Sequence, residues 1–154
     1  MSLEEFKIID ASTLPIGKLI SMIARGHNIY LNHHLEDWGI NASQLHLLFE
    51  ISHQSDINQE KIASRCNINK GAVARSIKKL EEKDMIIRKI DDENRRQNKI
   101  SLTPKGEKTL KESINLLKQW EEKVFDESII EKQLLQNALK EIAIKTIELN
   151  QKGE

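Results

Sequence analysis

Cysteine, proline and aromatic residues are scarce in this 154-residue chain, and each scarcity closes off a class of protein. Cys66 is the only cysteine, which excludes an intramolecular disulfide and fits a reducing cytosol. No apolar run approaches the ~20 residues a membrane-spanning helix needs, and no basic-then-apolar leader opens the chain. The expected location is the cytoplasm, with no membrane partner. Aromatic residues make up 4% and hydrophobic residues 38% of the chain, so one copy is poorly supplied to cover the apolar stripes of several long helices. No nucleophile motif, glycine-rich phosphate loop or paired-metal motif is visible, and the histidines have no triad partners. An enzyme is therefore not expected, nor is a cofactor or a bound metal. No repeat, low-complexity segment or linker divides residues 1–154, which read as a single domain.

Net charge is lacking too, because 24 basic side chains balance 24 acidic ones. The distribution is uneven, however. Asp56 to Lys105 carries thirteen basic against eight acidic side chains, and no acid occurs between Lys61 and Leu80. A basic middle between acidic ends suits a localised phosphate-binding surface. A solvated charged face is the plainer alternative.

The periodicity predicts a mainly α-helical protein with a small β-hairpin. Thr13-Leu14-Pro15 offers a cap and a first-turn proline for a helix to about Asp37, apolar at Ile16, Leu19, Ile20, Ile23, Tyr30, Leu31 and Leu35. Gly39 ends it. Asn41 caps a second helix with Leu45, Leu48 and Phe49, and Asn58 a short third one with Ile62 and Ala63 inward. After the turn Asn67-Ile68-Asn69, a fourth helix from about Lys70 to Lys83 has Val73, Ile77 and Leu80 as its core stripe and Gly71, Arg75 and Lys78 opposite. Met85–Ile90 and Asn98–Thr103 flank a charged tip as two short strands. Thr103-Pro104 opens a helix to about Phe125 with Leu110, Ile114, Leu117 and Val124 in register. Ser128-Ile129-Ile130-Glu131 has the pattern of a capping box before a last helix carrying Leu135, Leu139, Ile142, Thr146 and Leu149.

A short helix, a tight turn and a helix that is apolar behind and basic in front can place that second helix in the major groove of double-stranded DNA. The expected contacts are Asn69, Lys70, Gly71, Ala72, Arg75, Lys78 and Lys79 on and before the helix, with Arg95, Arg96 and Lys99 on the hairpin. Gly71 and Ala72 let the helix start approach a phosphate. Arg95 and Arg96 reach toward an adjacent minor groove, with Asp92, Glu93 and Asn94 placed to orient them. A winged helix used only as a protein-interaction module is the alternative.

The stretch from Asn58 to Gly106 is similar to the MarR family of bacterial and archaeal regulators. The resemblance is carried by Gly71-Ala72-Val73-Ala74-Arg75, Leu80-Glu81-Glu82-Lys83, and Arg95-Arg96 ahead of Leu102-Thr103-Pro104-Lys105-Gly106, with Gln44 in the second helix. It implies a winged helix-turn-helix over about 56–103 and dimerisation helices over about 13–37 and 104–150. It further implies a homodimer that represses genes from a pseudo-palindromic operator until a small ligand or signal weakens DNA binding. By resemblance, Arg75 belongs to the recognition helix and Arg96 to the wing tip. Asn94 departs from the family, which often has an aspartate there to orient the wing arginine. Two recognition helices about one DNA turn, ~34 Å, apart would read such an operator.

His27, Tyr30 and His34 share a helix face and, by resemblance, line a cleft for a small aromatic effector. A metal site among His27, His33, His34 and His46 is the competing reading; no Cys/His spacing of a structural zinc site supports it. Cys66 follows an inward stripe and reads as a small buried hydrophobe, against a redox switch activated by Arg65. Trp38 and Trp120 read as core or interface residues.

Overall fold

A computed structural model describes residues 1–153. They form two compact units, Met1–Lys118 and the stretch from Gln119 onward. Ser2 opens the first helix, α1 (Leu3–Ile8), by a reciprocal capping box with Glu5. This short helix went unread in the sequence, although Ser2 and Glu5 have the required spacing. A 3-10 turn (Ala11–Thr13) follows, then α2 (Ile16–Leu35). Pro15 sits at the cap of α2 rather than inside its first turn, and Thr13 does not cap it: its hydroxyl donates back to the Asp10 carbonyl at 2.8 Å. A second 3-10 turn, Glu36–Trp38, finishes at Gly39, whose left-handed φ of 66° is a conformation glycine adopts without penalty.

Asn41 and Gln44 cap α3 (Ala42–His53) reciprocally, with bonds of 2.9 and 3.0 Å. Gln44 is nearly fully buried, so its place in the family pattern has a local cause. The Asn32 side chain on α2 accepts the Ala42 N–H at 2.8 Å, which ties α2 to the start of α3. Next come α4 (Gln59–Cys66) and α5 (Lys70–Glu82), then the antiparallel pair β1 (Ile86–Ile90) and β2 (Asn98–Leu102). Ile86 pairs with Leu102 and Ile90 with Asn98. A single bridge from Ile57 to Ile100 extends the hairpin toward α4.

The core of the first unit joins Leu31 and Leu35 of α2 with Leu45, Leu48 and Ile51 of α3. Ile62 of α4 and Val73, Ile77 and Leu80 of α5 complete it, with Ile57, Met85, Ile86 and Ile100 beneath the hairpin. All are at most 2% exposed, so the helix-turn-helix and hairpin share one packed interior. α6 (Pro104–Val124) is opened by Thr103, whose hydroxyl accepts the Gly106 N–H at 3.0 Å. Within its expected stripe Leu110 is buried, whereas Ile114 is 38% and Val124 56% exposed.

The second unit contains α7 (Lys132–Lys152). The Ser128–Glu131 capping box does not form. Asp126 takes the Ser128 N–H at 2.9 Å, which folds residues 126–129 into a turn, and Glu131 stands at the helix start without a side-chain bond. α7 has no buried residue, and Leu139, Ile142 and Leu149 stay 40–48% exposed. No helix among the described residues is long and apolar enough to cross a membrane.

Candidate nucleic-acid interface

Three asparagines shape the helix-turn-helix. Asn58 starts α4 by accepting the Lys61 N–H at 2.7 Å. Asn67 ends it in the left-handed region, φ 51°, which asparagine tolerates better than most residues. Asn69 then caps α5 by accepting the Gly71 N–H at 2.8 Å. With Val73, Ile77 and Leu80 held in the core, the opposite side of α5 faces solvent. Gly71, Arg75, Lys78 and Lys79 are exposed there and Ala72 is half-buried. A Cβ on Gly71 would lie 3.1 Å from the Asn69 side-chain oxygen and 3.5 Å from Arg75 Nη1, so glycine leaves room for the cap and the arginine together.

Charge pairing separates the expected contacts into two groups. Lys70 Nζ is 2.8 Å from Glu60, and Lys99 Nζ is 3.6 Å from Asp91. Among the described residues Arg75, Lys78, Lys79, Arg95 and Arg96 have no ion pair. Arg88, at the base of the hairpin, pairs with Glu81. Glu81 thus spends its charge on β1 and leaves the middle of the α5 front cationic.

The hairpin tip is built by backbone bonds. Asp91 and Gln97 close it at 3.1 Å, the Asp91 carboxylate accepts the Glu93 N–H at 3.0 Å, and the Asn94 oxygen accepts the Arg96 N–H at 3.2 Å. Asn94 therefore fixes Arg96 through the main chain, not by holding its guanidinium, and Asp92 and Glu93 make no ion pair with either arginine. An amide oxygen can accept this bond, as a carboxylate can. The Asn58 amide donates to Gln97 at 3.3 Å, tying wing to α4 across 39 positions. That bond and the Lys70–Glu60 pair were not read from the sequence, because neither partner has a local signal for the other.

On α2, the His34 and Tyr30 rings lie 4.2 Å apart, and His34 Nδ1 is 2.8 Å from the Tyr30 carbonyl oxygen. His27 and His34 are half-buried on the same face. An open cleft of about 840 Å³ lies against the other side of that helix, lined by Asn32, His33, Glu36, Gln44, Lys79 and Glu82 among others. His27, Tyr30 and His34 are not in it. No group of three or more His, Cys, Asp or Glu placed to hold a metal ion occurs among the described residues. Cys66 is half-buried against the core, and burial, helped by the nearby Glu50 carboxylate, pushes its thiol up; Arg65 opposes this but is paired to Glu50 at 2.8 Å.

A helix-turn-helix with a cationic front and an adjoining arginine-tipped hairpin defines a winged-helix protein. The MarR family model matches residues 40–97. Among curated relatives, the HTH-type transcriptional regulator BilQ of Clostridium symbiosum is 28% identical over 62% of this chain and 67% of its own length. The uncharacterized HTH-type transcriptional regulators YdgJ and YwoH of Bacillus subtilis are 35% and 32% identical, over 49% and 62% of this chain. The match spans 46% of YdgJ and 69% of YwoH. A crystal structure of MarR superposes with TM-score 0.83 at 26% identity, covering 94% of this chain and 98% of that one. The MarR transcriptional regulator from Methanosarcina mazei Go1 gives 0.80 at 29% identity, covering 87% and 97%. MepR from S. aureus, solved as a DNA complex, gives 0.67 at 25% identity, covering 84% and 98%. The chain belongs to the MarR family of transcriptional regulators, and it is a regulator rather than an enzyme.

Proposed function

We propose that this regulator is a sequence-specific, double-stranded-DNA-binding repressor of the cytoplasm, acting with its whole chain as a homodimer on a pseudo-palindromic operator and releasing it when a small aromatic ligand binds. The observation that carries the DNA reading is the front of α5, where Arg75, Lys78 and Lys79 are exposed with no ion pair among the described residues. A helix of this kind fits the major groove, about 12 Å wide, and its unspent cations displace counterions from phosphates. Arg75, midway along the helix, reads a base edge; Lys70, Lys78 and Lys79 hold phosphates beside the cap formed by Asn69, Gly71 and Ala72. Arg95, Arg96 and Lys99 carry the contact to the neighbouring minor groove. MepR, of the same fold, is known in complex with DNA.

The homodimer is supported by exposed apolar side chains in each unit. Leu3, Ile8, Ile16 and Ile23 are 58–85% exposed in the first, and Leu134, Leu139, Ile147 and Leu149 are 47–58% exposed in the second. A monomer seldom leaves extensive apolar surface in water. Closing it about a two-fold axis presents two recognition helices to the same face of DNA. We assign the ligand response to the α2 face of His27, Tyr30 and His34, where an aromatic acid finds ring surface. Selection from a random duplex pool tests the whole reading. Enrichment of an inverted repeat with half-sites about one turn, ~34 Å, apart is expected. Recovery of no preferred sequence would sink it and favour a protein-interaction module.

A further inference from the structure

The starts of α4 and α5 and the tip of the wing enclose an open cleft of about 250 Å³, lined by Asn58, Glu60, Lys70, Arg96, Gln97 and Asn98 among others. Two cations from different elements reach it. Arg96 has no ion pair among the described residues, whereas Lys70 is bonded to Glu60 at 2.8 Å. Glu60 is fixed in the first turn of α4 by the Asn58 cap, and the Asn58–Gln97 bond holds the wing against that same turn. A DNA backbone passing from the recognition helix to the wing would cross this cleft. Its phosphate would arrive where a carboxylate already holds the ammonium.

We propose that Glu60 sets the affinity of this regulator by competing with a DNA backbone phosphate for Lys70. The inference rests on the DNA-binding reading above. The pair is fully ionised near neutral pH, because bonding and attraction between its members hold the Glu60 carboxyl below its ordinary range and raise the Lys70 ammonium above its own. Both side chains are well exposed, 64% for Glu60 and 76% for Lys70, so the ammonium is able to swing between partners. When it swings, the phosphate releases a counterion. The abandoned carboxylate, now facing the DNA, takes up a cation, and the net ion release at this contact is close to nil. Glu60 is thus a brake: it leaves the protein a DNA binder but removes the benefit of one cation at the head of the recognition helix.

Fluorescence anisotropy of the full chain with a fluorescein-labelled duplex of mixed sequence, across a salt series, tests this, since a phosphate contact does not depend on sequence. Glu60→Gln should tighten binding about two- to five-fold at low salt, the range an exposed ion pair is worth. It should also steepen the log–log salt dependence by ~0.9, one phosphate's worth. In a Lys70→Gln background the same substitution should leave the slope unchanged and give a smaller gain. Equal gains in both backgrounds would mean general repulsion by Glu60 and overturn the competition, as would a Glu60→Gln protein that binds no more tightly than wild type. Wild type that fails to bind the duplex at the lowest salt would overturn the DNA reading itself. Each side chain is exposed and outside the core, so neither change threatens the fold.

Discussion

Adding one methyl group at Gly106 should unlock the joint between the hairpin and α6. Gly106 is buried in the first turn of α6, and a Cβ built there would lie 2.0 Å from the Met85 carbonyl oxygen, 3.0 Å from its carbon and 3.3 Å from its Cα. All three are backbone atoms, so no flexible side chain can make way. The Met85 carbonyl is also committed, accepting the Thr103 N–H at 3.1 Å. Relief requires α6 to back away by roughly 1 Å, enough to strain the Thr103 cap and the packing of Leu110. Overpacking of this kind costs about 3 kcal/mol, at the upper end of its usual range. For a chain of this size that lowers Tm by about 6–12 °C. Gly26, exposed on α2 with nothing within 4 Å of its Cβ position, is the control. There the same glycine-to-alanine change should stabilise by about 0.5–1 kcal/mol, because alanine is the better helix former. Thermal melts followed by circular dichroism at one protein concentration compare the two. Gly106→Ala melting within a degree of wild type would refute the packing assigned to this joint.

Other expectations follow from the wing, the thiol and the apolar surfaces. Arg96→Ala should weaken binding across unrelated sequences and flatten the salt dependence by ~0.9; an unchanged slope would take the wing off the DNA. Burial raises the Cys66 thiol, so less thiolate is present near neutral pH than at a free cysteine, and alkylation should be slow there and accelerate only in alkaline solution. Faster labelling than a free thiol at neutral pH would restore the redox switch. Light scattering at micromolar concentration should give twice the 17.8 kDa chain mass, and a monomer would remove the dimer from the proposal.

Much of the winged helix was legible because its signals are local. Val73, Ile77 and Leu80 mark one side of a helix by spacing alone, and all three are buried. Asn41, Asn58 and Thr103 announce helix starts through side-chain bonds that span three residues. Where two local signals competed, the sequence misled. Ser128 has the spacing of a cap, yet Asp126 lies nearer to its N–H and makes a turn instead. The apolar register of α6 was read correctly as a helix, but its spacing does not grade burial: Leu110 is buried and Leu117 packs against the core, whereas Ile114 and Val124 are exposed. What could not be read at all are the pairings that only folding creates. Glu60 meets Lys70 over ten positions, Asn58 meets Gln97 over 39, and the room denied to a side chain at Gly106 is set by a backbone carbonyl on the far side of the hairpin.

Titration of the selected duplex with wild type and Arg75→Ala is the most direct test of the central claim, that the exposed front of α5 reads DNA. Loss of the arginine should cost about 1–3 kcal/mol, a fall of roughly five- to 150-fold, if the side chain bonds a base edge. Discrimination between the selected duplex and a scrambled one should fall with it. Unchanged affinity and unchanged discrimination would place the recognition surface elsewhere on the protein.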